Sequence, residues 1–251
     1  MTEITTEFHH GLGGTRLAVH RTGQGRPLLL LHGLFSSAQV NWIKYGHAAT
    51  IAAAGFEVIM PDLRVHGESE ASHDPTDYPH DVLVSDLQSL VLSLGLTDYD
   101  LGGFSLGART SLKGVLAGLR PRRLVLGGMG LEGLVKWGGR SDFFLDVIDR
   151  LGTIPRDDPA YYAQQFMKSM KIDPVAARLL LLSIEGVGIS DFSDVTMPTL
   201  VVCGTEDRDN GSPEALVQTL PNGVLAEIPG THMGCVPRPE LGREIAAFLA
   251  A

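Results

Sequence analysis

The segment with the clearest chemical potential is Gly103–Gly107, which reads Gly-Phe-Ser-Leu-Gly. It lies between an apolar run that ends at Leu101 and a helix-like run that starts near Ala108. A serine at a sharp strand-to-helix turn has a strained backbone, and the positions two before and two after it must be small. The helix dipole at such a turn favours developing negative charge. We therefore predict that Ser105 is a nucleophile rather than an incidental residue of a glycine-rich turn.

A serine hydroxyl needs a base to take its proton, and that base needs an acid to orient it. His232 and Asp207 each follow an apolar run that is typical of a buried strand. Nucleophile, acid and base therefore come in the order Ser105, Asp207, His232, each at the carboxyl end of a predicted strand. In a parallel sheet these ends share one edge, so the three side chains can converge there. Glu132 ranks second as the acid and Asp209 third.

The elements that must position these residues alternate between short apolar runs and helix-like runs. Buried strands are predicted at Leu17–His20, Pro27–Leu31, Phe56–Met60, Tyr99–Phe104, Arg123–Leu126, Thr199–Cys203 and Leu225–Ile228. Helices are predicted at Ala48–Ala54, Val82–Leu94, Ser111–Leu119 and Glu240–Leu249. This alternation predicts an α/β fold with a mainly parallel central sheet flanked by helices.

Residues 131–195 interrupt the alternation, because they contain no convincing buried strand. Three helices are predicted there instead, at Asp142–Leu151, Ala160–Met170 and Val175–Ile184. Asp158-Pro159 and Asp173-Pro174 are expected to begin the second and third of them, with Asp as N-cap and Pro in the first turn. The insert is much longer than an ordinary connection. We interpret residues 131–195 as a helical cap over the carboxyl edge of a core domain formed by 1–130 and 196–251.

The order of the motifs resembles that of the α/β-hydrolase fold family, in which Ser, Asp and His follow each other along the chain. The segment His32–Ser37, followed by Trp42, looks like the His-Gly oxyanion loop of that family. The segment Pro61–Ser69 looks like its D-x-R-G-H-G-x-S stretch, with Val65 where glycine is usual. The resemblance covers nearly the whole chain. It implies an α/β-hydrolase fold with a helical cap insert.

By this resemblance, the backbone N–H groups of Leu34 and Leu106 form the oxyanion hole, with Phe35 as second choice for the first donor. Backbone donors of this kind are aimed at the oxyanion of a tetrahedral intermediate. His32 and His66 are expected to bond the loop backbone near the oxyanion turn. The remaining histidines outside the proposed triad are expected on the surface or in loops: His9, His10, His20, His47, His73 and His80.

The resemblance also implies a serine hydrolase that cleaves a carboxylic ester or similar acyl substrate through an acyl-enzyme. Phe35, Trp137 and Met233 are expected to line an apolar acyl pocket. Arg109 follows Ser105 by one helical turn, where it is either a solvated residue or an anchor for a substrate carboxylate. A similar arrangement in menaquinone-pathway lyases gives the alternative of C–C hydrolysis or lyase chemistry on a carboxylated substrate. A cofactor-free perhydrolase and a catalytically silent binding protein rank lower.

The composition of the chain limits the classes of partner that it is expected to bind. Lys and Arg total 20 against 29 Asp and Glu, a net charge of −9, which disfavours nucleic acid and anionic membranes because both bind basic surfaces. Two cysteines and the lack of a metal-binding motif predict no disulfide framework, metal or other cofactor. Residues 1–7 lack the features of a signal peptide, and no apolar run has membrane-spanning length. We expect a cytoplasmic protein, without membrane insertion, that acts on a small molecule. Its oligomeric state stays open, homo-oligomers included.

Overall fold

The computed structural model describes residues 3–184 and 188–251, and one twisted sheet runs through this part of the chain. Its strands, numbered in chain order β1 to β8, are Thr5–His10, Arg16–Gly23, Arg26–Leu31, Phe56–Pro61, Asp100–Phe104, Leu124–Gly127, Thr199–Gly204 and Gly223–Ile228. Their spatial order is β1-β2-β4-β3-β5-β6-β7-β8. The strands from β4 to β8 in this order pair in parallel, whereas β1 and β2 are antiparallel additions at one edge. The predicted fold class, a mainly parallel sheet flanked by helices, is confirmed.

Helices cover both faces of the sheet. Numbered α1 to α9, they are His47–Ala53, Val82–Ser93, Leu106–Leu116, Leu131–Val135, Trp137–Asp149, Tyr161–Ser169, Pro174–Ser183, Pro213–Thr219 and Pro239–Ala250. Within the described residues, none of the helices has the length and apolar character to cross a membrane.

The apolar run of β3 explains why both faces need cover. Leu28 and Leu30 belong to a buried cluster that includes residues of α1 and α9. Leu29 and Leu31 belong to another cluster, which includes residues of α2 and α3. Side chains alternate between the faces of a strand, so a strand that is buried on both sides is apolar at successive positions.

The sequence-based boundaries need correction where tertiary packing or local capping decides them. Strand β1 was not predicted because its residues are mostly exposed and carry little apolar signal. The short helices α4 and α8 were also missed. Helix α5 begins at Trp137 rather than Asp142. Helix α6 has Ala160 rather than Asp158 as its N-cap, although the Asp158 carboxylate accepts a hydrogen bond from the Ala160 N–H.

Helices α4 to α7 lie between β6 and β7, and no strand occurs in residues 131–184 or 188–195. The expected cap at Asp173 is present, since its carboxylate accepts hydrogen bonds from the N–H groups of Val175 and Ala176. The division into a core domain and a cap at 131–195 stays a prediction, and its residues 185–187 lie outside the described residues.

A buried ion pair ties the loop after β4 to α2. The Arg64 guanidinium donates to both carboxylate oxygens of Asp86, at 2.9 and 2.7 Å. Both residues are buried, with Arg64 only 1% exposed. The N–H of Leu12 also donates to Asp86, and the Leu12 carbonyl accepts from Arg64. The pair therefore joins three separate segments and leaves few of its polar atoms without a partner.

We predict that Asp86→Ala lowers the free energy of unfolding by about 3–5 kcal/mol, because it leaves the Arg64 cation buried without its partner. Urea unfolding followed by circular dichroism measures the change. Asp149→Ala, which breaks the exposed pair between Asp149 and Arg178, serves as the matched control and should have little effect. Equal decreases in the free energy of unfolding in the two variants would show that the buried pair contributes no more to stability than the exposed one.

Candidate active site

Ser105 occupies a strained turn between β5 and α3. Its φ and ψ angles are 53° and −114°, a backbone conformation that residues other than glycine rarely adopt. A Cβ atom at Gly103 would lie 2.3 Å from the carbonyl carbon of Gly107, and one at Gly107 would lie 2.5 Å from the carbonyl oxygen of Leu31. Both flanking positions therefore require glycine for steric reasons. The Ser105 N–H donates to the Gly127 carbonyl at 2.8 Å, which fixes the turn to β6.

The structure brings together the three residues predicted as a triad. His232 Nε2 lies 3.1 Å from Ser105 Oγ, and His232 Nδ1 lies 2.8 Å from Asp207 Oδ2. Because a carboxylate only accepts, Nδ1 carries the proton and Nε2 can accept from the serine hydroxyl. The Phe104 ring packs 5.0 Å from the imidazole between centroids. The histidine is thus fixed both by a hydrogen bond and by packing.

The two alternative acids are elsewhere in the hydrogen-bond network. Glu132 accepts a hydrogen bond from the Ser212 N–H at 2.8 Å, on an exposed turn. Asp209 contributes its backbone N–H to Asp207 Oδ1 at 3.1 Å, while the other oxygen of Asp207 bonds His232. Among the three candidates, the carboxylate of Asp207 is the one that contacts the histidine.

A neutral histidine shapes the predicted oxyanion loop. Phe35 has a φ of 57°, and its N–H donates to His66 Nε2 at 3.0 Å. His66 Nδ1 donates in turn to the Arg64 carbonyl at 2.8 Å. The N–H of Phe35 is thus committed to His66, whereas that of Leu34 has no acceptor within residues 3–184 and 188–251. Leu106 is the first residue of α3, so its N–H is one of the groups at the helix start that have no acceptor within the helix.

His32 repeats this arrangement beside His66. Its Nδ1 donates to the Gly33 carbonyl at 2.7 Å, and its Nε2 accepts from the Leu63 N–H at 2.9 Å. Burial lowers the pKa of both imidazoles, for His66 to about 3. Both histidines therefore bond loop backbone, as expected, and do so in their neutral forms.

Two histidines expected on the surface or in loops are buried instead. His20 lies inside β2, and its Nε2 is 3.1 Å from an oxygen of Asp62. Asp62 also accepts from the N–H groups of Ala38 and Glu68, so its carboxylate caps two loop segments. His47 is at the start of α1, where its Nε2 donates to the Val236 carbonyl at 2.7 Å. Hydrophobic patterning did not identify these histidines because their partners are distant in sequence.

A cavity of about 500 Å³ opens beside Ser105 and His232. Seven aromatic side chains contribute to its wall: Phe35, Phe104, Trp137, Phe143, Phe144, Tyr162 and Phe166. The expected lining residues Phe35, Trp137 and Met233 are all in this wall. The polar lining residues that were not assigned to the site from the sequence include Ser36, Asn41 and Arg140. Among the described residues, no group of three or more His, Cys, Asp and Glu side chains is arranged to hold a metal ion.

Arg109 occupies a different place from the carboxylate anchor considered above. It is 2% exposed, and its guanidinium carbon lies 4.9 Å from the ring centroid of Trp137. Trp137 lines the cavity but Arg109 does not. Helical spacing predicted proximity to Ser105 correctly, yet it could not show that Trp137 would lie against the guanidinium.

We predict a pH-dependent stability that originates at His66. The pKa of His66 is about 3 in the folded protein, compared with an ordinary value of 6.5. Between these two pH values the imidazole binds a proton in the unfolded chain but not in the folded one. The free energy of unfolding therefore falls as the pH drops from 6.5 toward 4, by up to about 1.4 kcal/mol per pH unit from this group. His66→Gln should make that dependence shallower in urea titrations at several pH values. Parallel curves for the two proteins would refute the assignment.

Comparisons with known proteins agree with this architecture. The family model described as alpha/beta hydrolase fold matches residues 26–118. The chain is 27% identical over 240 residues to a putative non-heme chloroperoxidase of Synechocystis sp., covering 83% of this chain and 84% of the relative. It is 25% identical over 231 residues to the AB hydrolase superfamily protein YisY of Bacillus subtilis, covering 82% and 81%.

Similar solved structures extend the fold comparison to the whole chain. An esterase from Exiguobacterium antarcticum superposes with a TM-score of 0.80 at 18% identity, covering 98% of this chain and 100% of the esterase. At that level of identity the likeness concerns the fold. Together with the matched family model and the sheet order, it shows that the chain has the α/β-hydrolase fold.

Proposed function

We propose that this enzyme is a serine hydrolase that cleaves carboxylic esters with an apolar acyl part. The observation that carries the proposal is the continuous hydrogen-bond chain from Ser105 through His232 to Asp207, at 3.1 and 2.8 Å, beside an aromatic cavity. A strained serine whose hydroxyl lies within hydrogen-bond distance of an imidazole nitrogen is the arrangement that makes a hydroxyl nucleophilic.

In the acylation step, His232 Nε2 takes the proton of Ser105 as Oγ attacks the ester carbonyl carbon. The carbonyl oxygen becomes an oxyanion, which accepts hydrogen bonds from the N–H groups of Leu34 and Leu106. Such preorganised donors can each contribute about 10²–10³ in rate. His232 then gives its proton to the departing alcohol, and the acyl group stays on Ser105.

Deacylation repeats the proton transfers with water. His232 takes a proton from the water that attacks the acyl-enzyme, and returns it to Ser105 as the carboxylic acid leaves. Asp207 keeps the Nδ1–H tautomer in place through both steps and stabilises the imidazolium that forms.

The cavity supports an apolar substrate. Its aromatic walls offer large apolar surfaces to an acyl chain or ring, whose burial is favourable in proportion to the area removed from water. Its volume of about 500 Å³ is in the ordinary range for a small-molecule site. The alternative in which Arg109 anchors a substrate carboxylate lacks a geometric basis, because Arg109 does not line this cavity.

Ser105→Ala should abolish the turnover of p-nitrophenyl butyrate, since it removes the attacking oxygen. The wild-type protein, but not this variant, should also be labelled by a fluorophosphonate probe. Ser169→Ala, which changes an exposed serine of α6, is the control and should match the wild type in both assays. Retention of esterase activity by Ser105→Ala would contradict the proposed nucleophile, and failure of the wild type to label would favour a silent binding protein.

Asp207→Asn should lower kcat by about 10⁴, because an amide at this position disfavours the required histidine tautomer. The measurement is steady-state hydrolysis of p-nitrophenyl butyrate with the folded state checked by circular dichroism. Glu132→Gln is the matched carboxylate-to-amide control, and it should keep kcat near the wild-type value. A large loss in Glu132→Gln with little loss in Asp207→Asn would transfer the acid role to Glu132.

A further inference from the structure

The aromatic cavity contains a cation that the esterase mechanism does not use. Arg140 belongs to α5, and its guanidinium lies over the Phe144 ring with its carbon 5.7 Å from the centroid. One of its nitrogens donates to the backbone carbonyl of Asp209, which also lines the cavity. The side chain is therefore held on two sides within the same cavity that Ser105 and His232 line.

The charge of Arg140 is only partly compensated. A guanidinium has five N–H donors, and the described residues engage one nitrogen, through a neutral carbonyl. Across residues 3–184 and 188–251, no carboxylate oxygen lies within 4.0 Å of its nitrogens. Asp207 and Asp209 attract the cation from farther away, while burial lowers its pKa. A half-buried cation of this kind gains more from a direct anionic contact than a fully exposed one does.

Asn41 adds a second donor to the same cavity. Its side-chain oxygen accepts from the Gly33 N–H at 3.0 Å, which fixes the orientation of the amide. The residue is 3% exposed and lines the cavity. Its amide nitrogen has no acceptor among the described residues, so it is the polar group that Asn41 offers to a ligand beside the oxyanion loop.

We propose that the preferred substrates carry a free carboxylate in addition to the ester, and that Arg140 binds this carboxylate with its planar fork. The substrate class is thus a monoester of an apolar or aromatic dicarboxylic acid, or an ester of a hydroxybenzoic acid. The proposal rests on the proposed esterase function. Arginine suits this role because its parallel N–H groups match the two oxygens of a carboxylate.

Matched pairs of neutral and anionic esters test the preference. We would measure kcat/KM for 4-acetoxybenzoate against its methyl ester, and for mono-p-nitrophenyl glutarate against its methyl ester. In the wild type the anionic member of at least one pair should be favoured. Arg140→Met should lower kcat/KM for that member by about 10- to 100-fold and for its neutral partner by less than about threefold.

Two further variants separate charge from geometry and from general effects on the cap. Arg140→Lys keeps the charge but loses the fork, so it should restore part of the anionic preference. Arg178→Met removes a cap cation that pairs with Asp149 instead of lining the cavity, and it should leave the anionic-to-neutral ratio unchanged. Equal losses on both members of each pair in Arg140→Met would overturn the proposal.

A binding measurement keeps the test independent of catalysis. Ser105→Ala would be titrated calorimetrically with 4-phenylbutyrate and with 4-phenylbutyramide, and the titrations repeated in Ser105→Ala/Arg140→Met. Tighter binding of the carboxylate that disappears in the double variant supports the anchor even if no ester is turned over. Equal binding of acid and amide by Ser105→Ala, with no preference for anionic esters in the wild type, would reject it.

Discussion

The site depends on one steric constraint, the sharp turn that carries the chain from β5 into α3 at Ser105. In this turn the backbone of Gly107 lies so close to Gly103 and Leu31 that no side chain would fit between them. The turn is possible because both positions are glycine. The strain at Ser105 is held by the parallel strands on either side, since its N–H bonds the end of β6. Local strain of this kind persists only where surrounding structure determines it. The sheet therefore holds the Ser105 hydroxyl at the edge where the parallel strands have their carboxyl ends.

A second layer of order lies under the oxyanion loop. Asp62, His20, His32 and His66 form a buried polar cluster in which successive side chains bond loop backbone or each other. Most of the cluster's bonds go to N–H groups or carbonyls that would otherwise be buried without partners. The positive φ of Phe35 is thus enforced by polar groups, whereas that of Ser105 is enforced by close backbone packing. The two halves of the proposed oxyanion hole are held by different kinds of force.

Much of this could be predicted from the sequence, for identifiable reasons. The parallel strands are apolar at successive positions, and the turn at Ser105 needs glycine at fixed spacing, so both leave local signals. Strand β1 and the buried His20 leave none, because their places depend on pairing with β2 and on Asp62. The positions of Arg109 and Arg140 relative to the cavity could not be predicted from the sequence either. Arg109 is near the serine by chain position and Arg140 by the folding of α5, and only tertiary packing decides which of the two lines the cavity.

The hydrogen bond from Arg140 to the Asp209 carbonyl ties the wall of the cavity to the loop that follows β7. Asp209 donates its own N–H to Asp207, so α5 is connected through two hydrogen bonds to the residue that contacts His232. In this chain α5 therefore contacts both the cavity and the loop that carries Asp207. The loop keeps another support if this bond is lost, because the Asp207 N–H donates to the Gly204 carbonyl at 2.9 Å. A change at position 140 can therefore alter which molecules the cavity accepts while Asp207 stays in place.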